Sequence, residues 1–137
     1  MALFSCNFYR AEYLSEFNAV HIVFVGEVKT NQIVKLRCII SCLSESLKIE
    51  KLILDFTECS QAFIDYNSHA RIAFWKDLEK HDLKMILLII PQSQSTKAGI
   101  TSWESFYKKN KMSIEVSAIS DRKLMPLFFI NNELSEQ

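Results

Sequence analysis

The sequence predicts a single α/β domain, residues 1–137, with a mixed, mainly parallel sheet of about five strands and about four helices. Apolar runs of strand length alternate along the chain with segments of helical periodicity, which indicates parallel strands joined by right-handed crossovers. The 137 residues are 49% hydrophobic, enough to bury one sizeable core. Glycine and proline number two each, so long irregular loops are not expected.

The first part of the chain predicts a β-hairpin followed by a helix. Residues 8–14 and 20–28 have strand composition, and residues 15–18 supply the turn between them. Thr30 or Asn31 caps the helix, because either side chain accepts a hydrogen bond from a free backbone N–H. The apolar stripe of this helix consists of Ile33, Leu36, Ile39, Ile40, Leu43 and Leu47.

The middle of the chain predicts two central strands separated by a loop and a second helix. Residues 51–56 form the first strand, residues 60–67 the loop and residues 68–81 the helix. Residues 83–90 form the second strand, whose unbroken apolar run is typical of a parallel strand covered on both faces. Pro91 ends it, since proline has no N–H to donate to a neighbouring strand.

The last part predicts a third helix, an edge strand and a short final helix. Residues 93–96 supply the cap of the third helix. Its apolar face consists of Ile100, Trp103 and Tyr107, with Phe106 at the margin. Alternation over residues 112–118 predicts a half-exposed edge strand, and residues 124–130 form the last helix.

The composition argues against several classes of function. A formal net charge of zero makes nucleic acid a poor partner, because such proteins usually carry excess positive charge. No apolar run is long enough to cross a bilayer, and residues 1–10 lack a signal peptide, so a cytoplasmic protein is expected. Gly26 and Gly99 stand alone, which excludes a glycine-rich phosphate loop, and no cofactor is predicted.

The four cysteines predict neither a disulfide framework nor a metal site. They lie at positions 6, 38, 42 and 59, without CxxC spacing, and the chain is expected to be intracellular. Cys38 and Cys42 fall opposite the apolar stripe of the first helix. A metal ion needs further ligands, and none of the three histidines has suitable spacing.

Two short motifs resemble the STAS domain of sulfate transporters and anti-sigma-factor antagonists. They are Leu54-Asp55-Phe56, at the end of a strand, and Phe63-Ile64-Asp65, at the end of the following loop. Residues 99–128 also look like the SpoIIAA-like branch, which is sometimes grouped with SEC14-type lipid-binding domains. The resemblance covers roughly residues 8–130 and implies an interaction surface made by the loop at residues 60–68 and the second helix.

The sequence departs from the STAS pattern at the switch loop. In anti-sigma antagonists, the second serine after the motif aspartate is phosphorylated, and the added charge controls partner binding. Here Tyr66 and Asn67 occupy the two serine positions, and Ser68 replaces the glycine. Asn67 cannot carry a phosphate, so the switch is lost unless Ser68 or Tyr66 takes its place.

These observations predict a non-catalytic protein–protein interaction module whose partner is unidentified. Its partner-binding residues would be Asp65, Tyr66, Asn67, Ser68, His69, Ile72 and Trp75. The simpler alternatives remain open: Asp65 or Asn67 caps the second helix, and Ile72 and Trp75 pack in the core. A homodimer through the second helix is open as well.

Two other functions remain compatible with the sequence. The first is a small-molecule or lipid carrier, with a small apolar ligand held in a pocket lined by aromatic residues of the third helix. The second is an enzyme using Asp65 and His69, which lie one helical turn apart. Nothing nearby resembles an activated nucleophile, so no catalytic residue is predicted.

Overall fold

The computed structural model describes residues 2–5, 8–29, 48–63, 83–90 and 114–135, together with residues 38, 40, 42, 43 and 46. The described residues form a six-stranded sheet, one turn of 3-10 helix at Arg122–Leu124 and a C-terminal helix at Met125–Ser135. The strands are β1 (Ala2–Ser5), β2 (Tyr9–Leu14), β3 (Ala19–Lys29), β4 (Lys51–Phe63), β5 (Met85–Ile89) and β6 (Glu115–Ile119).

The strands lie in the sheet in the order in which they occur along the chain. β1, β2 and β3 pair antiparallel, whereas β3, β4, β5 and β6 pair parallel. The predicted mixed, mainly parallel sheet is therefore confirmed, with β1 as one strand more than expected. Four residues are too few to show a strand period, so β1 carried no readable signal.

The turn between β2 and β3 forms where the sequence placed it. The backbone N–H of Phe17 donates to the carbonyl of Leu14 over 3.2 Å. Asn18 has a φ of 50°, a left-handed conformation that asparagine tolerates better than most residues. Its Oδ1 accepts a hydrogen bond of 2.6 Å from the hydroxyl of Tyr13, which fixes the turn to the preceding strand.

One face of the sheet carries the larger core. Alternate positions of the central strands point to this face, because side chains alternate along a strand. Phe24 of β3 stacks on Phe56 of β4 with ring centroids 4.7 Å apart. Among the described residues of the predicted first helix, Ile40 is buried in this core and Cys38 and Cys42 are exposed. Their exposure agrees with the predicted apolar stripe.

The C-terminal helix covers the opposite face of the sheet. Phe129 is 1% exposed and packs with a cluster from β3, β4 and β5. It stacks on Phe17 at 4.7 Å, and Lys51 Nζ lies 5.3 Å from its ring centroid. All five residues of β5 are buried, as predicted for a strand covered on both faces.

β4 is much longer than the sequence predicted. It continues past residue 56 to Phe63, paired in parallel with β3, so residues 60–63 are strand and the first part of the predicted loop is wrong. Polar residues from Thr57 onward broke the apolar pattern, but the long β3 still supplies backbone partners. Two register shifts each place one extra residue in β4, and Gly26, with a φ of 74°, lies at the second.

The last two elements that the structure describes, β6 and the C-terminal helix, agree with the predictions, with shifted bounds. β6 is an edge strand, as expected, and spans Glu115–Ile119, whereas residues 112 and 113 of the predicted strand lie outside the described residues. The last helix extends beyond residue 130 to Ser135. The predicted second and third helices lie outside the described residues. In the part of the chain that the structure describes, no helix has the length and apolarity needed to cross a membrane.

Candidate functional site

The seven predicted partner-binding residues, Asp65, Tyr66, Asn67, Ser68, His69, Ile72 and Trp75, lie outside the described residues. The structure does describe the strand that leads to them, since β4 runs up to Phe63, two residues before Asp65. The candidate site is built from the side chains that hold this strand at the carboxyl end of the sheet, where open α/β sheets bind ligands.

Asp55 is a fully buried carboxylate in the middle of β4, 0% exposed. It lies opposite Val23 of β3 and Ile89, the last residue of β5. Its Oδ1 accepts hydrogen bonds from the backbone N–H of Thr57 over 2.9 Å and from the Thr57 hydroxyl over 2.7 Å. Its Oδ2 accepts from His21 Nε2 over 2.7 Å and from Arg122 Nε over 2.6 Å.

Arg122 extends this arrangement to a second carboxylate. Its Nη2 donates to the Thr57 hydroxyl over 2.8 Å and to Glu58 Oε2 over 3.0 Å. Arg10 of β2 holds both oxygens of Glu58, with 3.1 Å from Nη1 to Oε1. We call these six residues the Asp55 cluster: Arg10, His21, Asp55, Thr57, Glu58 and Arg122. The cluster joins β2, β3, β4 and the 3-10 turn that precedes the C-terminal helix.

The pKa values of both carboxylates lie below their ordinary values. Burial alone would raise the pKa of Asp55, but hydrogen bonds from His21, Arg122 and Thr57 outweigh it and lower that pKa far below the usual range. Hydrogen bonds from Arg10 and then Arg122 lower the pKa of Glu58. Both groups are therefore anions at neutral pH.

The hydrogen bonds of Asp55 suit it to holding β4 in position better than to transferring a proton. Asp55 already accepts four hydrogen bonds, so it has neither a proton to give nor a free oxygen lone pair in good geometry. Since that carboxylate is ionised, His21 Nε2 carries the proton in their hydrogen bond. The other ring nitrogen, Nδ1, is 3.8 Å from Oε1 of the exposed Glu12.

Asp55 also shapes β4 directly. The first register shift of the β3–β4 pair falls between the Val23–Asp55 and Val25–Glu58 pairs. There the carboxylate binds the backbone N–H of Thr57, two residues further on, as in an Asx turn. The buried anion thus fixes the bulge after which β4 continues toward residue 64.

Metal ligation finds no support in the described ranges. Within them, no group of three or more histidine, cysteine, aspartate or glutamate side chains is arranged to hold a metal ion. Asp55 and Glu58 each bind cationic or neutral protein donors instead.

The sequence contains two signals for the cluster that its apolar periodicity does not capture. His21 and Asp55 interrupt otherwise apolar strands, in VHIVF and LILDF. Charged side chains are rarely buried without partners, so the two predict a buried polar pairing once both strands are accepted as central. Arg122 gave no such signal, because it lies 67 residues from Asp55 in a polar stretch.

The architecture is similar to that of solved structures. The Bacillus cell fate determinant SpoIIAA, in its phosphorylated form, superposes with a TM-score of 0.53 at 12% identity, over 88% of this chain and 98% of that one. The unphosphorylated anti-sigma factor antagonist SpoIIAA gives 0.53 at 14% identity, over 88% and 96%. The chain has the SpoIIAA fold. No protein-family model matches the sequence, and no curated protein is similar to it in sequence.

The SpoIIAA fold confirms what the two short motifs implied about architecture. Leu54-Asp55-Phe56 lies in β4, and Phe63 is its last residue. At such low identity the likeness establishes the fold alone. In this version of the SpoIIAA fold, the motif aspartate is the centre of the Asp55 cluster.

We expect a double-mutant cycle to show strong coupling between Asp55 and Arg122. Asp55→Asn removes the buried anion while keeping its shape, and should lower the free energy of unfolding by about 3 kcal/mol. The double variant Asp55→Asn/Arg122→Gln should recover about 1–2 kcal/mol relative to additivity, measured by urea denaturation. Arg10→Gln is the matched control, because its partner Glu58 is partly exposed. Additive losses would contradict a coupled cluster.

We also expect Asp55 to make the stability of the protein pH-dependent. Its folded-state pKa lies below its unfolded value of about 4, so its contribution is fully present above about pH 5 and declines as the pH falls toward the folded-state value. Urea denaturation from about pH 7 to about pH 3 should show a smaller loss for Asp55→Asn than for the unaltered protein. Parallel pH profiles would show that Asp55 is not the responsible group.

Proposed function

We propose that this protein is a non-catalytic regulatory module that acts by binding another protein. The binding segment is the one that follows β4, with Asp65, Tyr66, Asn67, Ser68, His69, Ile72 and Trp75 as its contact residues. The observation that carries the proposal is the Asp55 cluster. Its buried carboxylate binds Arg122 and the backbone of β4, and so fixes the strand from which this segment starts. A rigid element of this kind holds a recognition segment in one orientation.

The chemistry of the cluster supports binding rather than catalysis. Asp55 is ionised and saturated with hydrogen bonds, whereas a general acid or base needs a pKa near the working pH and access to substrate. Arg10 and Arg122 are balanced by Asp55 and Glu58. The cluster therefore offers no surplus of positive charge to a nucleic acid or a phosphorylated ligand.

The likeness to SpoIIAA supports a protein as the partner. SpoIIAA is described as an antagonist of an anti-sigma factor and is known in phosphorylated and unphosphorylated forms. The present chain has Asn67 at the position where the STAS pattern places the phosphorylated serine. We propose that its binding is independent of phosphorylation at that position, because an amide side chain has no hydroxyl to modify.

Partner capture with matched variants tests this proposal. The tagged protein is used to isolate partners from the cells that produce it, and the affinity of any purified partner is then measured. Trp75→Ala should weaken binding by about 30-fold, because buried aromatic residues dominate interface energies. Lys84→Ala is the control, since Lys84 is 72% exposed and precedes β5 at the amino end of the parallel strands, so it should bind as the unaltered protein does.

Three results would contradict the proposal. A partner that binds all variants equally would place the binding site elsewhere. A small-molecule adduct in native mass spectra, without any captured protein, would favour the carrier with an apolar ligand. Turnover of a substrate that is lost in Asp65→Asn would favour an enzyme.

A further inference from the structure

The C-terminal helix is apolar on two sides. Phe129 is buried against the sheet, with Met125 and Phe128 half-buried beside it. On the other side, Leu127 is 57% exposed and Ile130 is 51% exposed. Leu124, in the preceding 3-10 turn, is 43% exposed and continues the same row. We call this row the outer stripe: Leu124, Leu127 and Ile130.

Within the part of the chain that the structure describes, packing against the sheet does not account for the outer stripe. Positions three apart lie on one side of a helix, and a helix with one covered side normally carries polar residues on the other. Residues 125–132 contain no charged residue at all. Exposed apolar side chains that adjoin one another, rather than being scattered, mark contact surfaces.

We propose that the outer stripe is the contact between two copies of this chain, with their C-terminal helices antiparallel about a twofold axis. The charges at the two ends of the stripe select a second copy as the occupant. Lys123 precedes the stripe and is exposed, and Glu133 follows it in the last turns of the helix. Antiparallel pairing brings Lys123 of each copy toward Glu133 of the other, so one surface is complementary to itself.

The helix dipole strengthens this argument. A helix favours negative charge at its N-terminus and positive charge at its C-terminus. Asp121 caps the preceding 3-10 turn, but the C-terminal helix itself has no acidic residue in its first turn and no basic one in its last, and Lys123 lies just before its N-terminus. Antiparallel pairing compensates for both misplaced charges and sets the two helix dipoles in opposite directions.

The size of the stripe sets the expected strength of the dimer. One helix side of three turns buries less than the roughly 800 Å² per partner of a standard interface. The dimer should therefore be weak, with a dissociation constant on the order of 10 µM. It shares no residue with the predicted partner-binding segment, so it does not depend on the proposed function.

Sedimentation equilibrium of the full chain, from about 1 to about 500 µM, tests the dimer over this range. The unaltered protein should pass from monomer to dimer, and Leu127→Glu should weaken association by at least about 30-fold, because it buries an unpaired charge. Phe8→Glu is the matched control, since Phe8 is an exposed apolar residue outside the stripe. The urea unfolding midpoint of each variant is measured to verify that the variant is folded.

Charge reversal tests the antiparallel arrangement itself. Lys123→Glu and Glu133→Lys should each weaken the dimer, because each sets like charges opposite one another. The double variant Lys123→Glu/Glu133→Lys should restore it to within about threefold of the unaltered protein, as coupled pairs do. A monomer throughout, a dimer that survives Leu127→Glu, or a double variant without recovery would overturn the proposal.

Discussion

The hydrogen-bonded ion pair between Asp55 and Arg122 is the interaction on which this structure depends most. A buried carboxylate is tolerated only when its charge is paired and its lone pairs are used, and Asp55 meets both conditions with four hydrogen bonds. Arg122 supplies the charge from just before the C-terminal helix. The pair therefore connects the C-terminal helix, which covers one face of the sheet, to β4 at the centre of the sheet.

The Asp55–Arg122 pair connects the packing on the two faces of the sheet. On one face, alternate side chains of β3, β4 and β5 form the larger core; on the other, Phe129 of the C-terminal helix packs over the same strands. Arg122, in the 3-10 turn that leads into that helix, lies beside the bulge that Asp55 holds. Packing and the polar cluster thus fix the same end of β4, where the proposed binding segment begins.

The sequence predicted the sheet well because apolar runs and helical periods are local signals. Residues 83–90 showed an unbroken apolar run, and β5 is buried throughout. The extension of β4 was missed, because residues 57–61 are mostly polar and their strand state depends on pairing with the distant β3. Of the site, His21 and Asp55 could have been inferred as a buried pair, whereas Arg122 reaches Asp55 only through the tertiary fold.

Amide hydrogen exchange along β4, in the unaltered protein and in Arg122→Gln, tests the central claim most directly. If the Asp55 cluster holds the carboxyl half of this strand, exchange at residues 57–63 should be faster in the variant by tenfold or more, about 1.4 kcal/mol of opening free energy. Residues 51–54, paired on both sides by β3 and β5, should stay protected. Equal protection of residues 57–63 in both proteins would contradict the account.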